Sequence, residues 1–276
     1  MNKLELLPPN DLQQQMQAHS EELFSAINLL RARLAKAPPG RLRSSLRGNK
    51  IRFYHVTDPK KVNGSYIPRG EETFAARLAQ KDYDSATLAE LERQLELVNQ
   101  FIIDYNPLAL KEIYTELPEF RQELVTPVTL PDAKYAKHWL AAPYKRKPFA
   151  DNTPEYTTAR GERVRSKSEV IIADTLSRMG IPYRYEFPLK LNLPQGNAAA
   201  FYPDFTCLNL HTHEEFLWEH FGMMDDPDYA RNAMDKLDIY ERNGIFLGKR
   251  LIISRETAEK PLNAKTIRNL AEEYLR

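Results

Sequence analysis

A single cysteine, Cys207, stands in a chain of 276 residues, so no intrachain disulfide can form and the reducing cytoplasm is the expected compartment. No stretch approaches the roughly 18 uninterrupted apolar residues of a membrane span. The opening Met1-Asn2-Lys3-Leu4-Glu5 lacks the apolar run of a secretory signal, so no membrane association is expected. There is no Gly-rich phosphate loop of the Walker type, which leaves ATP use without support. A Gly-x-Ser-x-Gly elbow and a Cys–His pair are also missing, which argues against acyl chemistry. Asp225, Asp226 and Asp228 lack the glycine and terminal glutamate spacing of an EF-hand, and Asp226-Pro227 is sufficiently explained as a helix start. His211, His213 and His220, with only Cys207 nearby, do not make a closed four-ligand zinc pattern.

What is present describes an ordinary globular protein, 42% apolar and 28% charged, with material for one large domain or two modest ones. A net charge of +1 by itself says nothing about nucleic acid, but its distribution does. Residues 31–61 hold ten Lys/Arg and one acid, and residues 134–167 hold nine Lys/Arg against three acids. Between them, residues 82–123 reverse the balance with ten acids and three bases. Two basic stretches flanking an acidic helical one could track a phosphate backbone, or could equally be solvated surface.

Residues 11–36 read as a helix, with Leu12, Met16, Leu23, Ile27, Leu30 and Leu34 as its stripe and Pro38-Pro39-Gly40 as its stop. Leu42 to Val56 reads as a β-hairpin turning at Gly48-Asn49. Helices are predicted at 71–81 and 86–105, with shorter helical pieces over 108–124. Prolines 127, 131, 143, 148 and 154 suggest an irregular connection, which sets a domain boundary near residue 150. The first domain, 1–150, is then a mainly helical region with a β-hairpin, making nucleic-acid or partner contacts.

Beyond it, in 151–276, a helix is predicted at 167–179 and an alternating strand at 181–191. Strands follow at 201–208 and 215–221, then a helix from Asp226-Pro227 to Arg242, a strand at 245–254 and a last helix at 263–275. The order α-β-β-β-α-β-α implies an α/β (α+β) fold, a mixed sheet with helices packed on it.

Three acids stand out in that second half. Asp204 lies in Tyr202-Pro203-Asp204-Phe205 and Glu219 in Trp218-Glu219-His220-Phe221-Gly222, both in apolar, β-prone runs where a carboxylate is costly to bury unpaired. Glu169 follows Ser166-Lys167-Ser168 at a helix start, where the dipole favours an anion. Carboxylates meeting at one point suit a hard divalent cation and phosphodiester chemistry. Bland alternatives remain open: Ser166 and Glu169 also fit a capping box, Asp204 also fits a turn, and a helix lysine is usually solvated.

This order of elements and acids resembles the PD-(D/E)XK nuclease superfamily, whose fold is called restriction-endonuclease-like, over about residues 160–255. The resemblance implies Mg²⁺, with Mn²⁺ as a substitute, held by Asp204 and Glu219 and completed by Glu169. It also implies in-line attack of a metal-activated water, leaving 5′-phosphate and 3′-hydroxyl ends. The family's lysine, two residues after the third-strand acid, is replaced here by Phe221. Several branches move that lysine to the next helix, where this chain has Lys236 on one face with Tyr229 and Tyr240. The Glu-His-Phe-Gly stretch is also similar to the Glu-x-Asp-Gly of Vsr-like endonuclease relatives, which carry a basic helix next. The implied function is a metal-dependent nuclease on DNA, an endonuclease before an exonuclease, with a role in bacterial defence by family analogy. Arg160, Arg163, Arg165, Lys167, His220 and Tyr240 are the expected nucleic-acid contacts. A homodimer, or a partner protein held through residues 11–124, is compatible with the sequence. The alternative function is a catalytically inactive nucleic-acid-binding or scaffold protein that keeps the nuclease fold.

Overall fold

The computed structural model describes residues 5–48, 50–58, 60, 63–150, 154–193 and 196–276. Asn49 of the expected hairpin turn lies outside the described residues, as do residues 151–153 just beyond the expected domain boundary. The chain forms two compact units, residues 11–107 and residues up to Asn10 together with 108–276. The division therefore falls at Asn10/Asp11 and at Pro107/Leu108 rather than near 150. The proline-rich stretch that suggested a boundary is tied into the second unit: Arg165 donates to the carbonyls of Lys147 and Pro148, and Tyr144 to the carbonyl of Tyr185.

In the unit 11–107, α1 (Leu12–Ala35) buries Leu23, Ile27 and Leu30, spaced i, i+4, i+7 along one face. The hairpin β1 (Arg41–Arg47) and β2 (Lys50–Val56) continues into the short β3 (Ser65–Tyr66), then α2 (Glu72–Asp104). α1 runs antiparallel to α2: Ser20 bonds Asn99 at 2.8 Å, Arg31 pairs with Glu92 and Arg33 with Asp84. α2 is one continuous helix where two were expected. The suspected break contains no Pro or Gly, and buried Asp84 is satisfied within the helix by Gln80 and across it by Arg33. The sheet rests on α2 through Leu42 and Phe53, which pack on Ile67, Ala75 and Leu78.

The second unit opens its longer segment with α3 (Ala109–Thr115), α4 (Glu119–Gln122) and α5 (Asp132–Ala141), then a small ladder of β4 (Tyr156–Thr157) and β5 (Arg163–Val164). There follow α6 (Lys167–Arg178), β6 (Tyr183–Tyr185), β7 (Leu189–Asn192), β8 (Ala198–Phe201), β9 (Phe205–Leu208), β10 (Glu215–Phe221), α7 (Pro227–Arg242), β11 (Leu251–Arg255) and α8 (Ala264–Leu275). The main sheet has the order β11-β10-β9-β6, with β10 and β11 parallel and the other pairs antiparallel. On one face, Phe205, Cys207, Trp218 and Ile252 meet Ile172, Leu176, Ile267 and Ala271 of α6 and α8. On the other, Leu217 and Leu251 meet Tyr240 of α7 and Leu191 of β7. This is a mixed α/β fold with its core in two layers about one sheet.

Three strands are shorter than their sequence patterns. The run 181–191 divides into β6 and β7 at Glu186, whose φ of 47° turns the chain out of the ladder. Such a φ is costly for a non-glycine residue. Here it is held by the Glu186 N–H bond to the Asp204 carbonyl at 3.1 Å and by the Glu186 ion pair with Arg165. The run 201–208 divides at Tyr202–Asp204, where Pro203 has no N–H for a ladder. The last strand begins at Leu251, because the N–H groups of Lys249, Arg250 and Leu251 all turn back to the Phe246 carbonyl. Among the described residues, no helix is long and apolar enough to cross a membrane.

Candidate functional site

The sheet positions the site where β9 begins and β10 ends. Antiparallel pairing sets Leu217 opposite Thr206, so Glu219, two residues after Leu217, and Asp204, two before Thr206, face the same side. Asp204 and Glu219 therefore share the α7 face. Both line a pocket of about 190 Å³ with His220, Phe221, Tyr229, Asn232, Ala233 and Lys236. α7 begins as its sequence dictates, with the Asp226 side chain accepting from the N–H groups of Asp228 and Tyr229 and Pro227 in the first turn. Its helical spacing then presents Tyr229, Ala233, Lys236 and Tyr240 along one side.

Glu219 is 1% exposed and doubly clamped. Lys236 Nζ donates to its Oε2 at 2.6 Å, and the Tyr240 hydroxyl donates to its Oε1 at 2.5 Å. The ammonium beside Glu219 thus comes from the helix that follows its strand. Asp204 Oδ2 accepts the backbone N–H of His220 at 2.6 Å. Burial pushes the Asp204 carboxyl well above the ordinary carboxylate range, and the charges of Glu219 and Glu169 add to this, while Lys236 and the His220 N–H oppose it. Burial also raises Glu219, against the opposing pull of Lys236 and Tyr240. Burial would lower the Lys236 ammonium, but Glu219 and Asp204 outweigh it and the net direction is upward.

Glu169 plays two parts at the start of α6. Its N–H donates to the Ser166 hydroxyl at 3.1 Å, the cap the sequence suggested. Its carboxylate does not return to Ser166. Instead Oε2 accepts from the Arg165 N–H and the Tyr185 hydroxyl, each at 2.7 Å. Glu169 lies close enough to act electrostatically on Asp204 and Glu219, yet among the described residues no three His, Cys, Asp or Glu side chains converge as a ligand cluster. Asp204 and Glu219 thus line one pocket with Lys236, and the Glu169 carboxylate is engaged beside them by Arg165 and Tyr185.

The expected nucleic-acid contacts divide. Tyr240 is fully buried and spends its hydroxyl on Glu219, so it presents nothing to a ligand. The His220 ring points to the opposite face of the sheet, between Ser254 at 3.0 Å and Glu256 at 3.2 Å. Arg165 is committed to Glu186 and lies over the Phe149 ring, and Arg163 pairs with Glu155. Arg160 and Lys167 are exposed.

Sequence reasoning missed the network behind the site. Glu256 accepts from the Ser168 hydroxyl at 2.6 Å and the Leu262 N–H at 2.8 Å, and meets His220 Nε2. It thereby ties α6, β10 and the segment after β11 together. Its carboxyl is raised by burial but lowered on balance, because these donors favour the charged form. No motif marks Glu256; a signal existed only in its place directly after the strand beside β10.

No family model matches the chain, and no solved structure matches it. A protein of Methanocaldococcus jannaschii described as uncharacterized is 33% identical over 111 residues, which is 40% of this chain and 9% of that protein. The chain thus spans a small part of the relative it matches.

Proposed function

We propose that this chain is a metal-dependent nuclease that hydrolyses phosphodiester bonds, in DNA before RNA, and that it is a PD-(D/E)XK relative whose lysine has moved to α7. The observation that carries this reading is Lys236 Nζ at 2.6 Å from Glu219 Oε2, in the pocket that Asp204 also lines. The donor set fits a hard divalent cation. Two buried carboxyls share one ammonium, and burial disfavours their charged forms, so a bound divalent cation would offset that cost. Asp204 and Glu219, with Glu169 beside them, would hold Mg²⁺ or Mn²⁺, which supplies Lewis-acid activation of water and neutralises phosphate charge.

The remaining work belongs to the chain. With its proton affinity raised, Lys236 is an ammonium at neutral pH, so it orients water or phosphate as a donor and does not serve as a base. Tyr240 and Lys236 fix the rotamer of Glu219, and the His220 N–H fixes that of Asp204. Exposed Arg160 and Lys167 are the phosphate contacts this reading retains. A non-catalytic binding module is the second reading, favoured by Phe221 and by the Lys236–Glu219 pair already being closed.

Incubation of the purified chain with plasmid and linear DNA, with and without Mg²⁺, separates the two. Metal-dependent cleavage is expected, falling by about 100-fold or more in Asp204→Asn, Glu219→Gln and Lys236→Met. Calorimetric Mg²⁺ binding that Asp204→Asn removes is the readout independent of turnover. Metal and DNA binding without cleavage supports the second reading, and cleavage unchanged in all three variants rejects the site.

A further inference from the structure

The hairpin sheet of the unit 11–107 has two unlike faces. The pairing register sets Arg43 opposite Tyr54 and Tyr54 opposite Tyr66, with Arg52 two residues along on the same side. The intervening residues, Leu42 and Phe53, turn the other way onto α2. On the outward side Arg43 lies 5.7 Å over the Tyr54 ring, which meets Tyr66 edge to face at 5.8 Å. Tyr66 is 50% exposed.

Beside this face is a groove. β3 pairs with Tyr54 and His55, and the Ile67 N–H reaches the Phe53 carbonyl, so over Lys50–Arg52 β2 has β1 on one side and, among the described residues, no strand on the other. The groove there measures about 340 Å³; Lys50, Arg52, Arg69, Tyr66 and Phe53 line it, with Glu72 the one acid among its described lining residues. Among the described residues, no carboxylate lies within ion-pair distance of Arg43, Lys50, Arg52 or Arg69.

We infer that this face and its groove form a binding surface for a single-stranded stretch of nucleic acid. Cations unpaired by acids and spaced along a β-edge match a run of phosphates, which also explains why so many stand together without neutralisation. The half-exposed Tyr66 ring beside Arg52 offers what an unpaired base needs and a duplex withholds, a flat π-surface flanked by a guanidinium. A lipid surface would meet the cations across a flat face, whereas these cations line a groove. The inference does not depend on the metal chemistry of the other unit.

The test is fluorescence anisotropy of the full chain with labelled oligonucleotides in EDTA, so that cleavage plays no part. Single-stranded DNA, single-stranded RNA, duplex DNA and anionic phosphatidylserine vesicles are compared across a salt series. Arg52→Gln with Arg69→Gln is expected to weaken single-strand binding and to reduce the log–log salt slope by about 1.4, at roughly 0.7 for each phosphate no longer neutralised. The double lysine variant, Arg52→Lys with Arg69→Lys, restores the slope. Tyr66→Ala is expected to weaken single-strand binding about 5-fold or more with the slope unchanged, and duplex binding much less. Circular dichroism checks that each variant is folded. Single-strand affinity and slope unchanged in the glutamine variant overturn the inference. So does a silent Tyr66→Ala together with a glutamine variant that weakens duplex and single strand alike, or vesicle binding without oligonucleotide binding.

Discussion

Asp204 is a buried carboxyl whose surroundings work against stability at the level of one residue. Its folded-state proton affinity lies above the unfolded one, because burial and the Glu219 charge disfavour the anion. A carboxyl shifted this way contributes fully below its unfolded pKa, about 3.9 for Asp, and loses that contribution as pH rises through the folded value. Asp204→Asn removes the charge and keeps an acceptor for the His220 N–H. This variant is therefore expected to melt above the wild type at pH 7, with the gap closing as pH falls toward about 4. Calorimetry across that range checks it; an equal or lower melting temperature at pH 7 contradicts the burial account. The expected loss of cleavage alongside a gain in stability is the trade-off that strained sites show.

At the scale of elements, Glu256 is the joint. It holds Ser168 of α6, the ring of His220 on β10 and the Leu262 N–H, and His220 in turn supplies the N–H that holds Asp204. Its lowered folded pKa has the opposite sign to that of Asp204: the stability it contributes is present above the unfolded value and disappears as pH falls through the folded one. Glu256→Gln retains an acceptor but loses charge assistance to its donors, at a cost of roughly 1–3 kcal/mol at pH 7. The difference from wild type should narrow as pH falls below about 4, near the unfolded Glu pKa, and vanish only below the lower folded value. Urea titrations at both pH values measure it.

At the scale of the molecule, the unit carrying the site draws on both ends of a long detour in the chain. Glu5 bonds the ring of buried His213 at 2.7 Å and accepts the Leu130 N–H at 2.8 Å. Asp132 meets the other ring nitrogen at 3.1 Å, and Tyr135 stacks on it at 4.0 Å. Deletion of residues 1–10 orphans these buried groups, each costing about 1–3 kcal/mol. Both tryptophans, Trp139 and Trp218, lie in this unit, so urea unfolding followed by their fluorescence reports on it directly. A midpoint unchanged by the deletion would show that the segment contributes nothing.

Local pattern accounts for most of what could be read from the sequence. The stripe of α1, the cap at Ser166, the Asp226-Pro227 start and the alternation around Trp218 each rest on neighbours within a few residues, where periodicity and hydrogen-bonding choices act. The buried acids Asp204 and Glu219 were legible for the same reason, as polar residues in apolar runs. Tertiary contacts decided the rest. Helix α2 runs unbroken because Arg33, far away in sequence, satisfies Asp84; one strand breaks at Glu186 because Arg165 and the Asp204 carbonyl hold it there. The roles of Tyr240, His220 and Arg165 also lay outside sequence reach, since a polar side chain's use depends on which partner the fold brings to it. The sequence alone marked two acids in apolar runs that a fold would bury, and gave neither of them a Lys or Arg cation within its own strand. Only the packing of α7 on the sheet decided that Lys236 supplies that cation, because a buried carboxylate is stable only where a donor from another element reaches it.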